Sequence, residues 1–309
     1  MPPQPAAKRI KPVPQAEHPT KPACIGLIGL GLMGTALTER LLEHGYRVAV
    51  WNRSREKADA LLARGAEWSD NPLAMCERVI ISLYTTEVVE AVLAELDAGL
   101  HAGQIILDTT TGEPVQTAAL GARLAARGVR YLDAPISGSS EQTRRGEATV
   151  IVGGDRATFE ACADLWRVMG QKVFHVGACG SAAKMKLISN LVLGLNRAAL
   201  AEGLAFAEAL GVSPAAALEV MAGSNAYSRA IDVKGRKLVE RDFTVQAKLS
   251  QHLKDVRLML QAAEAAGMEL PLADTHRRLM EQAEAAGLGE LDNSAIIEVL
   301  RKPAKNAPP

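Results

Sequence analysis

Two groups of residues in this 309-residue chain have the types and spacing to do chemistry. The first is Gly29-Leu30-Gly31-Leu32-Met33-Gly34. In a GxGxxG run the first glycine permits a tight turn, the second lets backbone approach a pyrophosphate, and the third lets helix and strand pack closely. An apolar run at 24–28 leads in, and helical spacing of Leu37, Leu41 and Leu42 follows. Gly45 then stops the helix before a second apolar run at 47–51. Strand, glycine turn, helix and strand are the context a dinucleotide site needs, because the free amides and dipole of the helix N-terminus then face the phosphates. The second group is Lys186 and Asn190, four residues apart and so on one face of a helix. Reducing a carbonyl with a nicotinamide needs a proton on oxygen as hydride reaches carbon. An ammonium beside that oxygen supplies both the proton and a stabilising charge. In the reverse direction the same amine is a base, helped by any burial that lowers its pKa. Asn190 is expected to orient the lysine or the substrate oxygen. Lys184 carries the same group but points roughly 160° away on the helix. With Ile188 four positions on, it suits an exposed helix start better.

The end of the second strand bears on which nicotinamide is held. An acidic residue there accepts hydrogen bonds from a free ribose 2′-hydroxyl and repels a 2′-phosphate. This chain reads Trp51-Asn52-Arg53-Ser54-Arg55-Glu56-Lys57. Arg53 can pair with the phosphate and lie on the adenine, while Asn52 and Ser54 offer neutral polar contacts. The expected cofactor is NADP(H).

These groups have to be positioned, and the pattern of elements says how. Strands are expected at 78–83, 104–107, 129–132, 148–152 and 172–175, alternating with helices at 55–63, 87–95, 115–127 and 157–169. Asn71-Pro72 opens a further helix with a capping side chain and a proline at the first turn. The alternation predicts an α/β N-terminal Rossmann domain over 23–181, with one late strand antiparallel. A helix at 182–210, rich in Ala and Leu, is expected to be buried between two packing partners and to join an all-α domain over 182–302. Ser213-Pro214 opens the next helix there, and others are expected at 214–222, 229–240, 246–266, 271–286 and 293–301.

Composition excludes several classes. Lys plus Arg and Asp plus Glu each total 35, so no global field favours nucleic acid or a membrane surface. Cys24, Cys76, Cys162 and Cys179 lack metal-ligand spacing and read as thiols in a reducing compartment. No metal is indicated. Residues 1–22 are Pro-rich with almost no large apolar side chains and are expected to be a disordered tail. With no signal peptide and no spanning segment, the expected location is cytoplasmic.

Four segments, in order, resemble the β-hydroxyacid dehydrogenase family, which includes 3-hydroxyisobutyrate dehydrogenases and glyoxylate/succinic semialdehyde reductases. They are Gly29–Gly34, Asp133-Ala134-Pro135-Ile136-Ser137-Gly138, Gly180–Asn190 and Leu253-Lys254-Asp255-Val256, and the resemblance spans 24 to about 301. It implies reduction of a small aldehyde or oxo acid, or oxidation of the hydroxy acid, in a cleft between the two domains of a homodimer or homotetramer. It selects Lys186 over Lys184. It places Ser137, Gly138 and Ser139 on the substrate carboxylate, Thr111 near the nicotinamide, and Lys254 across the cleft toward the ribose or substrate. Relatives usually read Ser-Gly-Gly followed by small residues. This chain reads Ser137-Gly138-Ser139-Ser140-Glu141, which is expected to change the size and charge of the pocket. His252 is read as structural. Two other readings stand beside this one. Imine reductases share the Asn52-Arg53 ending but generally lack a lysine at position 186, and a non-catalytic NADPH-binding module needs none.

Overall fold

The computed structural model describes residues 24–301, so the expected tail at 1–22 lies outside the described residues. Nine strands form one sheet in the order β3-β2-β1-β4-β5-β6-β8-β7, with β9 beside β8. They are β1 (Cys24–Ile28), β2 (Arg47–Trp51), β3 (Glu67–Trp68), β4 (Arg78–Ile81), β5 (Ile105–Asp108), β6 (Arg130–Asp133), β7 (Ile136–Ser137), β8 (Thr149–Gly153) and β9 (Lys172–Gly177). The first six strands run parallel. β8 turns against β6 and β7, and β9 follows β8 in parallel. The expected antiparallel strand is therefore β8, and the chain order places β1 beside β4 at the point where winding reverses. Ligands of such sheets sit at that point, outside the carboxyl ends of the strands.

Period-two alternation divides the core. Val48 and Val50 face one layer with Leu27 and Leu37. Ala49 and Trp51 face the other layer with Ile28 and Val79. Asn71 caps its short helix as expected, accepting from the Leu73 amide at 3.1 Å. The segment at 55–63 is tighter than expected, a 3-10 turn (Arg55–Ala58) running into Asp59–Leu62. The helix expected at 157–169 is broken at Cys162 into Arg156–Ala161 and Ala163–Met169. A short helix, Ser140–Arg144, was not foreseen. All four cysteines are free thiols.

Beyond β9 every described element is helical, and Leu187, Leu204, Leu249, Leu253 and Ile296 contribute to its separate core. The long helix runs Ser181–Ala209. Its expected burial between two packing partners holds only in part within one chain, since Ile188, Val192 and Phe206 are more than half exposed. In one chain the sheet covers the N-terminal turns and the helical core covers one face, which leaves an apolar stripe uncovered. Among the described residues no helix is long and apolar enough to cross a membrane.

The long helix has no cap of its own, because its first flanking residue is Gly180, in the left-handed region at φ +87°. Asp133, at the end of β6, caps it from outside. Its Oδ2 accepts from the amides of Ala182 and Ala183 at 3.0 Å each. Burial pushes this carboxyl up to about 6, against backbone N–H groups that pull it down. Hydrogen bonds to a charged group contribute about 1.5–3 kcal/mol. Asp133→Ala is expected to lower unfolding stability by about that amount, read from denaturant midpoints at unchanged m-value; a shift below about 0.5 kcal/mol contradicts the assignment.

Candidate active site

The glycine run builds a cradle. Gly29 has φ +100°, and a Cβ there would meet Ser82 O at 2.3 Å; one on Gly34 would meet Gly29 O at 1.8 Å. Gly31 is different, with nothing within 4 Å of the place a Cβ would occupy. It opens the helix Leu32–Glu43, whose N-terminus has neither a side-chain cap nor an acidic residue in its first turn. Gly31, Leu32 and Met33 line a cleft of about 900 Å³. Bare amides beside open space suit a pyrophosphate.

At the end of β2, Asn52 is an internal tie. Its Oδ1 accepts from the Leu30 amide at 2.9 Å, and its Nδ2 donates to Ser54 O at 2.9 Å. Arg53 and Lys57 are exposed and line the cleft with Ser54. Arg55 is drawn away, with its guanidinium carbon 5.1 Å from the Trp68 ring centre. No carboxylate of the 51–57 segment lines the cleft.

Lys186 and Asn190 face the same cleft from the long helix and are 6% and 5% exposed. The Lys186 amine makes no ion pair and no hydrogen bond among the described residues. Desolvation pulls it down to about 8, a shift that Asp255 opposes and Lys254 assists. Asn190 Nδ2 donates to Asp255 Oδ2 at 3.0 Å. Asp255 Oδ1 in turn lies 2.9 Å from Lys254 Nζ. Lys254 reaches across to the sheet domain, donating to Thr111 O at 2.8 Å and Tyr84 O at 3.0 Å. Thr111 therefore offers Lys254 its carbonyl and lines the cleft as well. The chain Asn190–Asp255–Lys254–Thr111 fastens the two domains beside Lys186.

Ser137, Gly138 and Ser139 border the cleft opposite. Ser139 has a further task beside its expected place on a carboxylate. Its amide donates to Gln142 Oε1 at 2.9 Å and its hydroxyl accepts from the Gln142 amide at 3.2 Å, a capping box that opens Ser140–Arg144. That leaves the Ser137 hydroxyl, the Gly138 amide and the Ser139 O–H for a ligand. Glu141 does not charge the pocket: it pairs with Arg145 at 2.7 Å and accepts from Gln246 of the helical domain at 3.0 Å. The acidic residues that do line the cleft are Glu147, Asp255 and Glu290. Sequence reasoning also passed over Arg197 and Arg229 and read His252 as structural, and all three line the cleft. Arg197 carried a usable signal, since it falls on the Lys186–Asn190 face of an otherwise apolar helix.

Residues 24–177 match the family described as the NAD binding domain of 6-phosphogluconate dehydrogenase. Residues 180–300 match that described as the NAD-binding domain of NADP-dependent 3-hydroxyisobutyrate dehydrogenase. The chain is 32% identical over 282 residues to 2-hydroxy-3-oxopropionate reductase of Escherichia coli, covering 89% of this chain and 96% of the relative. The chain belongs to the β-hydroxyacid dehydrogenase family. A crystal structure of 3-hydroxyisobutyrate dehydrogenase from Salmonella typhimurium superimposes with a TM-score of 0.82 at 25% identity, covering 90% of this chain and 99% of that one. A structure of Psf3 in complex with NADP+ and 2-OPP gives 0.80 at 27% identity, covering 89% and 99%. As in the rest of this β-hydroxyacid dehydrogenase family, the sheet domain is a nicotinamide-dinucleotide-binding domain.

The two glycines separate binding from folding. Gly31→Val is expected to leave the melting temperature within about 2 °C while weakening dinucleotide binding at least tenfold by fluorescence titration. Gly34→Val should lower the melting temperature by about 10 °C or more. Equal behaviour of the two variants contradicts the assignment of Gly31 to the phosphate cradle.

Proposed function

We propose that this β-hydroxyacid dehydrogenase reduces a small aldehyde or oxo acid with NADPH, or oxidises the hydroxy acid in reverse, with Lys186 as the proton donor and acceptor. The observation that carries the proposal is the buried, unpaired amine of Lys186 on the wall of the dinucleotide cleft. The reductase and dehydrogenase names of the relatives support the same class of reaction. When bound, the dinucleotide supplies or takes up the hydride.

Burial does two things to Lys186. It excludes water, so the ammonium's charge acts strongly on a carbonyl oxygen placed against it. It also brings the pKa toward neutrality, where an amine can give up a proton and regain it. Asp255 limits that shift and, through Asn190, fixes the turn of helix that presents the amine. Ser137 and Gly138 are left to orient a carboxylate. Arg53 and Lys57, with no carboxylate of their own segment lining the cleft, favour NADPH over NADH. The stripe of Ile188, Val192 and Phe206 suits association of two or more copies. A monomer at micromolar concentration in sedimentation would remove that part.

Assays of glyoxylate and of succinic and methylmalonic semialdehydes with each cofactor test the proposal. The expected kcat/KM with NADPH is at least tenfold above that with NADH. In Lys186→Met, kcat should fall by about 10²–10⁴ while NADPH affinity is kept. Reduction needs the ammonium, so its kcat should decline as pH rises through about 8; oxidation needs the free amine and should rise through the same point. Turnover in Lys186→Met within threefold of wild type contradicts the assignment.

A further inference from the structure

Arg197 stands about three helical turns beyond Lys186 on the same face of the long helix. It is 4% exposed and lines the cleft. Its Nε and Nη2 are buried without a hydrogen-bond partner among the described residues. His252 Nε2 and Asn293 Oδ1, from the same stretch of cleft wall, are likewise buried and unpartnered. Gly194 makes the space: a Cβ there would stand 2.6 Å from His252 Nε2. Behind His252 lies His276, at 5.4 Å between ring centres.

Among the described residues the one carboxylate that acts appreciably on Arg197 is Asp292, and it is already committed. Asp292 is held by Lys234 Nζ at 2.7 and 2.9 Å and accepts from the Gln246, Ala247 and Ser294 amides. Desolvation brings the guanidinium down to about 10, still charged at neutral pH, and holds both imidazoles neutral. A buried charge with no partner is costly, and a guanidinium fork matches a carboxylate in two parallel hydrogen bonds. Packing alone would be served better by Leu or Met.

We propose that Arg197 forms the far end of the substrate site and binds a carboxylate that the substrate carries several atoms from its reacting carbonyl. This rests on the reductase reading and narrows it. Three turns of helix span about 16 Å, and both side chains lean toward the N-terminal end, so that separation is kept. His252 lies between the two positive groups. A four-carbon semialdehyde is too short to meet both, whereas a medium-chain ω-oxo acid can.

The probes are succinic semialdehyde, suberic semialdehyde and the methyl ester of suberic semialdehyde, assayed with NADPH. Suberate binding to the NADP-loaded protein is followed in parallel by calorimetry. Wild type is expected to favour the suberic acid over its ester at least tenfold in kcat/KM. Arg197→Met should abolish that preference through KM, and Arg197→Lys should restore part of it. Suberate should bind at least tenfold more weakly to Arg197→Met. If acid and ester are reduced alike and suberate binding ignores Arg197, the proposal is overturned while the reductase reading stands. If no aldehyde is reduced but suberate binding depends on Arg197, the anion site stands and the reductase reading fails.

Discussion

A carboxylate at the end of one strand receives the first amides of the helix that carries the site. Asp133 stands where β6 leaves the sheet, and the long helix begins with no side chain of its own to close its N-terminus. An uncapped helix end leaves amides without partners, and here they are buried. The charge of Asp133 meets both those amides and the positive end of the helix dipole. It also fixes where turn one of the helix begins relative to the sheet. Every later position on that helix follows: Lys186, Asn190 and Arg197 recur at helical spacing on a single face, toward the cleft, with Gly194 among them beneath His252. The sheet delivers the glycine cradle to the same cleft at its winding reversal. One hydrogen-bonded cap thus sets the relation between a dinucleotide-binding loop and a helix of polar side chains.

The second constraint is electrostatic. The helical domain buries Lys186, Arg197 and Lys234 and supplies Asp255 and Asp292 to meet them. Asp292 is consumed by Lys234, and Asp255 is shared between Asn190 and Lys254. Lys186 and Arg197 are left facing the cleft with no ion pair among the described residues. Burying a charge without a partner works against folding, and such groups concentrate at sites where a ligand completes them. The Lys254 bridge to Thr111 and Tyr84 closes the cleft at one edge and keeps both domains facing it.

Much of this was legible in the residues. Gly29–Gly34 between two apolar runs gave strand, turn, helix and strand, since Gly29 and Gly34 answer steric demands at 2.3 and 1.8 Å while Gly31 keeps the approach to its backbone open. The Lys186–Asn190 spacing placed both side chains on one face, because helical period alone decides that. Asn71-Pro72 and Ser213-Pro214 marked helix starts by local chemistry. What was missed depends on contacts far apart in sequence. Ser139 keeps its hydroxyl proton for a ligand, but Gln142 takes its amide. Glu141 looked like a pocket charge, but Arg145 and Gln246 turn it outward. His252 lacked any metal-ligand pattern and was set aside; its place over Gly194 is a tertiary fact. The long helix looked buried between two packing partners because its composition is rich in Ala and Leu, and composition does not say how many chains cover it.

The claim at the centre is that burial on the cleft wall makes the amine of Lys186 a proton donor and acceptor near neutral pH. It can be measured without any substrate. In protein labelled with ¹⁵N-lysine, the Nζ resonance lost in Lys186→Arg is followed by NMR against pH in the absence of cofactor. The account predicts a midpoint near 8, set by desolvation and held there by Asp255. A midpoint at the ordinary lysine value, about 10.4, would mean an amine in water and would contradict it.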